Sequence, residues 1–358
     1  MRSIAILGAG AWGTALALYA NRIGLRPTLW VYEAELAQII QERSENTWYL
    51  PGISLSEGIQ ITPHLDQAVT RQGVILVVVP SHAYRAVISQ VASSIPREAT
   101  VVNAAKGLEA GTLYRMTEIL KELLPPSVRI GTLSGPTFAK EVALGHPTAA
   151  VIASRVEGMA RSIQALLGSS SLRLYTSQDM IGVELGGALK NIIAIAAGLS
   201  DGLGLGDNAR AALITRGLAE MTRLGVALGA RSETFAGLSG LGDLVLTASG
   251  SLSRNRRAGL ELATGRSLEE ILKEPTVAEG IRTASVALAL AERTGVEMPI
   301  TAQVQAVLNG GLPPREAMES LLRRSMRAEV DEPAFRLEQG GERLSRDSAH
   351  GDGPAKPR

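Results

Sequence analysis

The sequence predicts an α/β protein, with a doubly wound parallel sheet in its first half and a mostly α-helical second half. Two observations carry this expectation. Short β-branched runs alternate with amphipathic segments up to about Tyr175. Beyond that point strand-like runs nearly vanish, and long Ala-, Leu- and Gly-rich helical stretches replace them.

Taken in order, Ser3–Leu7 reads as a strand, Thr14–Arg22 as a helix and Pro27–Val31 as a second strand. Val74–Val79 is a continuous apolar run, the pattern of a strand covered on both faces. Thr100–Ala104, Arg129–Leu133 and Thr148–Ala153 follow as strands, with helical patterns at Ala86–Val91 and Leu113–Leu123. The second half carries helices over Gly182–Leu199, Ala209–Leu228, Ser285–Thr294 and Met298–Leu308. These shifts set expected limits of 1–176 for the sheet domain and 177–328 for the helical domain. The last stretch, Glu329–Arg358, holds seven acidic and five basic residues and few sizeable apolar ones. Such a segment buries too little surface to offset its ordering entropy, so a disordered tail is expected over 329–358.

Composition narrows the function classes. The chain has 358 residues, 36 basic and 35 acidic, for a formal charge of +1. That balance offers no global field for nucleic acid or an anionic membrane, so any anion site must be local. There is no cysteine, which excludes disulfides, Cys-ligated zinc and thiol nucleophiles. The four histidines form no credible metal-ligand cluster, so no metal is expected. The apolar start is too short for a secretory leader, and no later run reads as a membrane span. A cytoplasmic protein is expected.

Gly8-Ala9-Gly10-Ala11-Trp12-Gly13 lies between the first strand and the first helix, the context that gives a dinucleotide fingerprint its meaning. Gly8 allows the tight turn, Gly10 lets the backbone approach a pyrophosphate, and Gly13 permits close helix–strand packing. Ala11 and Trp12 complete the turn against the dinucleotide. This is the signature of a Rossmann domain. Glu33, at the end of the second strand, suits the ribose 2′-hydroxyl and would repel a 2′-phosphate. No Arg or Lys lies between Pro27 and Gln41 to receive that phosphate. NAD is therefore favoured and NADP is the less favoured cofactor, unless Glu33 points into solvent.

Four further places carry polar groups that a bland fold does not require. Lys106 follows the strand Thr100–Ala104, at the sheet edge where such folds bind ligands, although a strand-end Lys is also commonly just solvated. Lys190 is one of only two charged residues in Gly182–Leu199, with small Gly186, Gly187 and Ala194 beside it and no carboxylate one turn away. A desolvated lysine becomes a general acid or base near neutral pH, the alternative being one that snorkels to the surface. Asp243 and Thr247 are one helical turn apart, where Asp243 also reads as an ordinary N-cap. Ser253-Arg254-Asn255-Arg256-Arg257 at a helix start makes a phosphate cradle; as a lone charge run it reads as a solvated face.

Five blocks, in order and at natural spacing, resemble the bacterial NAD(P)-dependent glycerol-3-phosphate dehydrogenase family. They are Gly8 through Ala15, Asn103-Ala104-Ala105-Lys106-Gly107, Leu133 through Glu141, Glu184 through Asn191, and Gly237 through Leu244. The resemblance runs from about Ser3 to Leu322. It implies interconversion of sn-glycerol 3-phosphate and dihydroxyacetone phosphate, supplying glycerol 3-phosphate for phospholipid synthesis. By motif, Lys190 would move the proton at the C2 oxygen, and Lys106 and Asp243 would complete the catalytic site. Gly135 and Thr137 would contact substrate, and Ser253, Arg254 and Asn255 would hold its phosphate with Asn191 and Thr247 in support. Lys106, Ala139, Arg254, Val277 and Glu279 would surround the cofactor.

One departure stands out. Many relatives carry Arg or His after the Trp of the second strand, whereas Trp30 is followed here by Val31-Tyr32-Glu33. That supports NAD. The expected partner is a small phosphorylated three-carbon substrate, with neither nucleic acid nor membrane, and the Ala-rich helical half suits a homodimer. Two other readings remain: a related two-domain 3-hydroxy-acid dehydrogenase, and a non-catalytic NAD(H)-binding sensor.

Overall fold

In the computed structural model, residues 3–274 and 278–324 are described. Strand β1 (Ser3–Leu7) leads through the glycine turn into α1 (Ala11–Arg22), and β2 (Arg26–Trp30) returns beside β1. Helix α2 (Ala34–Arg43) and strand β3 (Gln60–Thr62) extend that edge, followed by α3 (Leu65–Val69), β4 (Val74–Val77) and α4 (Ser81–Val91). Next come β5 (Thr100–Asn103), α5 (Met116–Leu123), β6 (Arg129–Ser134), α6 (Ala139–Leu144), β7 (Thr148–Ala153), α7 (Met159–Leu167) and β8 (Leu172–Ser177).

The eight strands form one sheet in the order β3-β2-β1-β4-β5-β6-β7-β8. Chain order reverses between β1 and β4, which is the crevice where doubly wound sheets bind ligands. Ile75, Leu76 and Val77 of β4 are buried, as a strand covered on both faces requires. The sheet is not wholly parallel, which corrects the sequence expectation. Strand β7 pairs antiparallel with β6, and β8 then runs parallel to β7. The physical reason is the short α6, which leaves the chain at the edge where β6 ended; β7 must start there and run back. Strand β8 itself was not anticipated, because only Leu172 and Leu174 face inward while Arg173 and Tyr175 are exposed.

From β8 the chain enters α8 (Met180–Gly202), capped by the Asp179 carboxylate, which accepts the Gly182 amide at 2.9 Å. At 1.5 Å per residue this helix is about 35 Å long and passes the ends of β5 and β6. The expected stripe of Leu185, Leu189, Ile192, Ala196 and Leu199 is buried, and burial continues round the whole helix. A helix apolar on every side belongs in a core. It is the one described helix with the length and composition to cross a membrane, and it is enclosed by protein.

Packed around α8 are α9 (Gly206–Ala227), the short α10 (Ser232–Phe235), a π-helical turn at Leu238–Gly242, and α11 (Asp243–Ser249). Then follow α12 (Arg254–Ala263), α13 (Leu268–Leu272), α14 (Glu279–Thr294), α15 (Pro299–Leu308) and α16 (Pro314–Leu322). Each fully buried Leu or Ile of this core contributes about 1.5–3 kcal/mol. Glycines set the helix spacing. A Cβ on Gly186 would lie 2.5 Å from the Ser239 carbonyl oxygen, and one on Gly187 would lie 2.5 Å from Ser134 Oγ. The described residues up to Leu322 form one compact unit, and the tail expected over 329–358 lies outside the described residues.

Candidate active site

The glycine turn is built to take a dinucleotide. Gly8 adopts φ +113°, a conformation that favours glycine. A Cβ on Gly13 would sit 1.8 Å from the Gly8 carbonyl oxygen, whereas one on Gly10 would meet nothing within 4 Å. The contrast matches a turn packed tightly on its protein side and open on the other. Helix α1 starts just after its N-cap residue Gly10, with no side-chain cap and no acid in its first turn, so its free N–H groups and positive dipole end suit a pyrophosphate. The indole N–H of Trp12 is buried without a partner among the described residues, a second feature that fits a bound group.

Sequence reasoning missed the residue that supports this turn. Asn46 is fully buried, and its Nδ2 donates to the Ala9 carbonyl and to Thr14 Oγ1, both at 2.8 Å. It sits in an irregular loop with no periodicity, so no pattern marked it. Glu33 lies three residues beyond β2, at the N-cap position of α2 rather than at the strand end, and it does not simply point into solvent. Its Oε1 accepts the Tyr49 hydroxyl at 2.9 Å. Burial, then this bond, push the Tyr49 phenol up to about 12, so it stays a donor. Ala139 opens α6 and packs with Ala11 and Trp12 against the same core. Val277 lies outside the described residues.

At the ends of β5 and β6 the two halves of the chain bring three charges together. Asp243 is 1% exposed; its Oδ2 lies 2.6 Å from Lys106 Nζ and its Oδ1 lies 3.0 Å from Lys190 Nζ. The N-cap reading of Asp243 is thereby excluded. The π-helical turn runs straight into α11, so Asp243 continues a helical path, and its carboxylate is committed to the two ammonium groups. Thr247, one turn on, receives Lys190 Nζ at 2.6 Å and donates to the Asp243 carbonyl at 2.7 Å. Lys190 is 6% exposed, which excludes snorkelling. Burial lowers its pKa to about 8, with Lys106 and Arg254 adding to the shift and Asp243 opposing it.

Lys106 also donates to the Gly135 carbonyl at 2.8 Å and lies 3.4 Å from Thr137 Oγ1. Gly135 holds φ +143°, and a Cβ there would press on Ala150 Cα at 2.9 Å, so this turn needs glycine. The three N–H groups of Lys106 thus meet a carboxylate, a carbonyl and, at the longest distance, the Thr137 hydroxyl, the weakest of the three and the one a ligand oxygen would replace.

Ser253 caps α12, its Oγ accepting the Arg256 amide at 3.1 Å. The hydroxyl therefore keeps its own proton to donate, beside the unpaired amides of the first turn. Arg254 makes no hydrogen bond or ion pair among the described residues, although it feels the charge of Glu279. Asn255 is more scaffold than expected. Its Nδ2 donates to Asn191 Oδ1 and its Oδ1 accepts the Gly280 amide, both at 2.9 Å, which leaves one N–H. Asn191 in turn reaches the Lys106 carbonyl at 3.5 Å. Glu279, at the start of α14, accepts Ser81 Oγ at 2.7 Å and so ties the helical half to α4.

Among the described residues no group of His, Asp and Glu side chains is arranged to hold a metal ion. The arrangement consists of an open glycine turn, a buried lysine whose pKa is lowered to about 8, and the arginine-bearing start of α12 within its electrostatic reach. That combination can bind a phosphorylated alcohol and move a proton beside a hydride-transfer cofactor.

Comparison with known proteins agrees with this geometry. Residues 3–160 match the model of the NAD-dependent glycerol-3-phosphate dehydrogenase N-terminus, and residues 179–319 match that of its C-terminus. Glycerol-3-phosphate dehydrogenase (NAD(P)+) of Geobacter sp. strain M21 is 51% identical over 329 residues, covering 91% of this chain and 98% of that protein. The enzyme of the same name from Geobacter sulfurreducens is 50% identical, with the same coverage. The crystal structure of glycerol-3-phosphate dehydrogenase from Coxiella burnetii superposes with a TM-score of 0.87 at 42% identity, covering 90% of this chain and 99% of that one. By fold, site and sequence alike, the chain belongs to the NAD-dependent glycerol-3-phosphate dehydrogenase family.

Proposed function

We propose that this protein interconverts sn-glycerol 3-phosphate and dihydroxyacetone phosphate, with NAD favoured over NADP and Lys190 as the general acid and base. The observation that carries this reading is the Asp243 carboxylate shared by two lysines, Lys106 from the sheet half and Lys190 from α8. A bound nicotinamide supplies the hydride acceptor or donor. In the oxidative direction neutral Lys190 takes the proton from the C2 hydroxyl as the C2–H bond gives up its hydride. In the reductive direction protonated Lys190 returns that proton to the oxygen.

Asp243 and Thr247 hold the ammonium in place, and Lys106 steadies negative charge on the C2 oxygen. Ser253, Arg254 and the free amides of α12 hold the phosphate, with Asn255 and Asn191 fixing that turn. Binding energy from this remote anchor orients the reacting carbon. Candidate substrate groups thus come from both halves, although residues 1–176 bind the dinucleotide and 177–328 supply the base. The product serves phospholipid synthesis, and the protein acts as a cytoplasmic homodimer on a small substrate, without nucleic acid or membrane. The near-neutral charge supports that last point.

The test is reduced-nicotinamide oxidation with dihydroxyacetone phosphate. Turnover is expected, and faster with NADH than NADPH. Turnover of 3-oxo acids instead would favour the hydroxy-acid reading, and no turnover of either would favour the sensor. Cofactor choice has its own test. Glu33→Ser should raise kcat/KM for NADPH relative to NADH by about tenfold or more, because it removes a carboxylate facing the 2′-phosphate. An unchanged ratio would refute that role for Glu33.

A further inference from the structure

Asp201 is an acid where a helix least favours one. It lies in the last turn of α8, whose carbonyl ends repel a negative charge, and its side chain is only 10% exposed. Two arginines offset this cost. Asp201 Oδ2 lies 2.6 Å from Arg256 Nε, and Oδ1 lies 2.9 Å from Arg210 Nη1 on α9. Arg210 also pairs with the exposed Asp207.

Arg256 is the third residue of α12. Its backbone amide is the one that Ser253 Oγ caps, so Ser253 and Asp201 hold the same residue from its two ends. Helices α8 and α12 touch backbone to backbone. A Cβ on Gly198 would fall 1.9 Å from the Arg256 carbonyl oxygen, and one on Gly259 would fall 2.1 Å from the Ile195 carbonyl oxygen. Such contact fixes how close the helices come. Small residues at the crossing leave rotation and sliding of α12 weakly opposed, and the Asp201–Arg256 pair resists both.

We propose that Asp201, acting through Arg256, is the positioning residue for the substrate's phosphate. The pair holds the first turn of α12 so that the Ser253 hydroxyl, the free amides and Arg254 converge on one point. This rests on the reading that Ser253–Asn255 takes the phosphate. It assigns the pair no part in proton transfer, since neither residue is bonded to Lys190, Asp243 or Lys106.

The test is steady-state kinetics of the full chain carrying Asp201→Asn or, separately, Arg256→Lys. Each should raise KM for dihydroxyacetone phosphate by about tenfold or more, keep kcat within about threefold, and leave the NADH dissociation constant unchanged. The slow reduction of dihydroxyacetone, which lacks the phosphate, should keep its kcat/KM. The double variant should lose no more than Asp201→Asn alone, because the contact that Arg256→Lys disturbs is one of the two that Asp201→Asn removes. Arg256→Lys carries the test if Asp201→Asn fails to fold. An unchanged KM, or an equal loss with dihydroxyacetone, overturns the proposal. Arg254→Gln separates the two layers. If it spares KM for the phosphorylated substrate, the phosphate turn itself has been misread; if it raises KM while both pair variants leave it alone, only the positioning role fails.

Discussion

Lys190→Met should lower kcat in both directions by about a thousandfold, with the NADH dissociation constant changed by less than about threefold. The reason is the isolation of this amine. It is buried in α8, bonded to Thr247 and Asp243, and its pKa of about 8 lets it gain or lose a proton near neutrality. Methionine keeps the length and apolar stem, so packing around Gly186 and Gly187 is preserved while the proton carrier is lost. Stopped-flow measurement of hydride transfer, with NADH binding followed separately by fluorescence, checks the prediction. A variant that retains more than about a tenth of wild-type kcat would assign the proton to another group.

Asp243→Asn has the second largest expected effect, and it acts on stability and pH together. The carboxylate is the sole close counter-charge for Lys106 and Lys190 among the described residues. Removing it leaves two ammonium groups facing each other in a mostly buried site, at a cost of about 3 kcal/mol. The protein relieves this by releasing a proton. Asp243 raises the Lys190 pKa and Lys106 lowers it, so the variant's Lys190 titrates below its wild-type value of about 8. The midpoint of the oxidative pH profile should therefore move downward, and kcat should fall by about tenfold to a hundredfold as the base is misaligned. Thermal unfolding and a pH series of initial rates check both parts. An unmoved midpoint would show that Asp243 does not set the charge of Lys190.

Much of the sheet half was legible because its signals are local. The run Ser3–Leu7, the glycine turn and the following helix are a continuous pattern, and β1 and β7 begin and end where the sequence suggested. Direction is not local. Nothing in Thr148–Ala153 states that β7 runs against β6; that follows from the short return through α6. Strand β8 was hidden because its outward residues are polar and its apolar positions few.

The candidate site divides along the same line. Lys190 stood out as a charge in an apolar helix, and Lys106 as a charge at a strand end. The pairing of both with Asp243 depends on how α11 meets α8, and an Asp at a helix start alone looked like an ordinary cap. Asn46 and Asp201 were invisible for a different reason. Each is a common polar residue in an unremarkable stretch, and its importance lies in a partner 32 or more positions away.

The central claim is that one lysine carries the proton between the C2 oxygen and the protein. The most direct test is the pH dependence of kcat for glycerol 3-phosphate oxidation with NAD+, measured where a deuterium isotope effect at C2 shows hydride transfer to limit the rate. Neutral Lys190 is the active form in this direction, so the rate should rise through a single ionisation near pH 8 and level off above it. Reduction of dihydroxyacetone phosphate should fall across the same ionisation. The account predicts that Lys190→Met removes this ionisation from what rate remains. A profile flat through pH 8 in the wild type, or the same ionisation persisting in the variant, would contradict it.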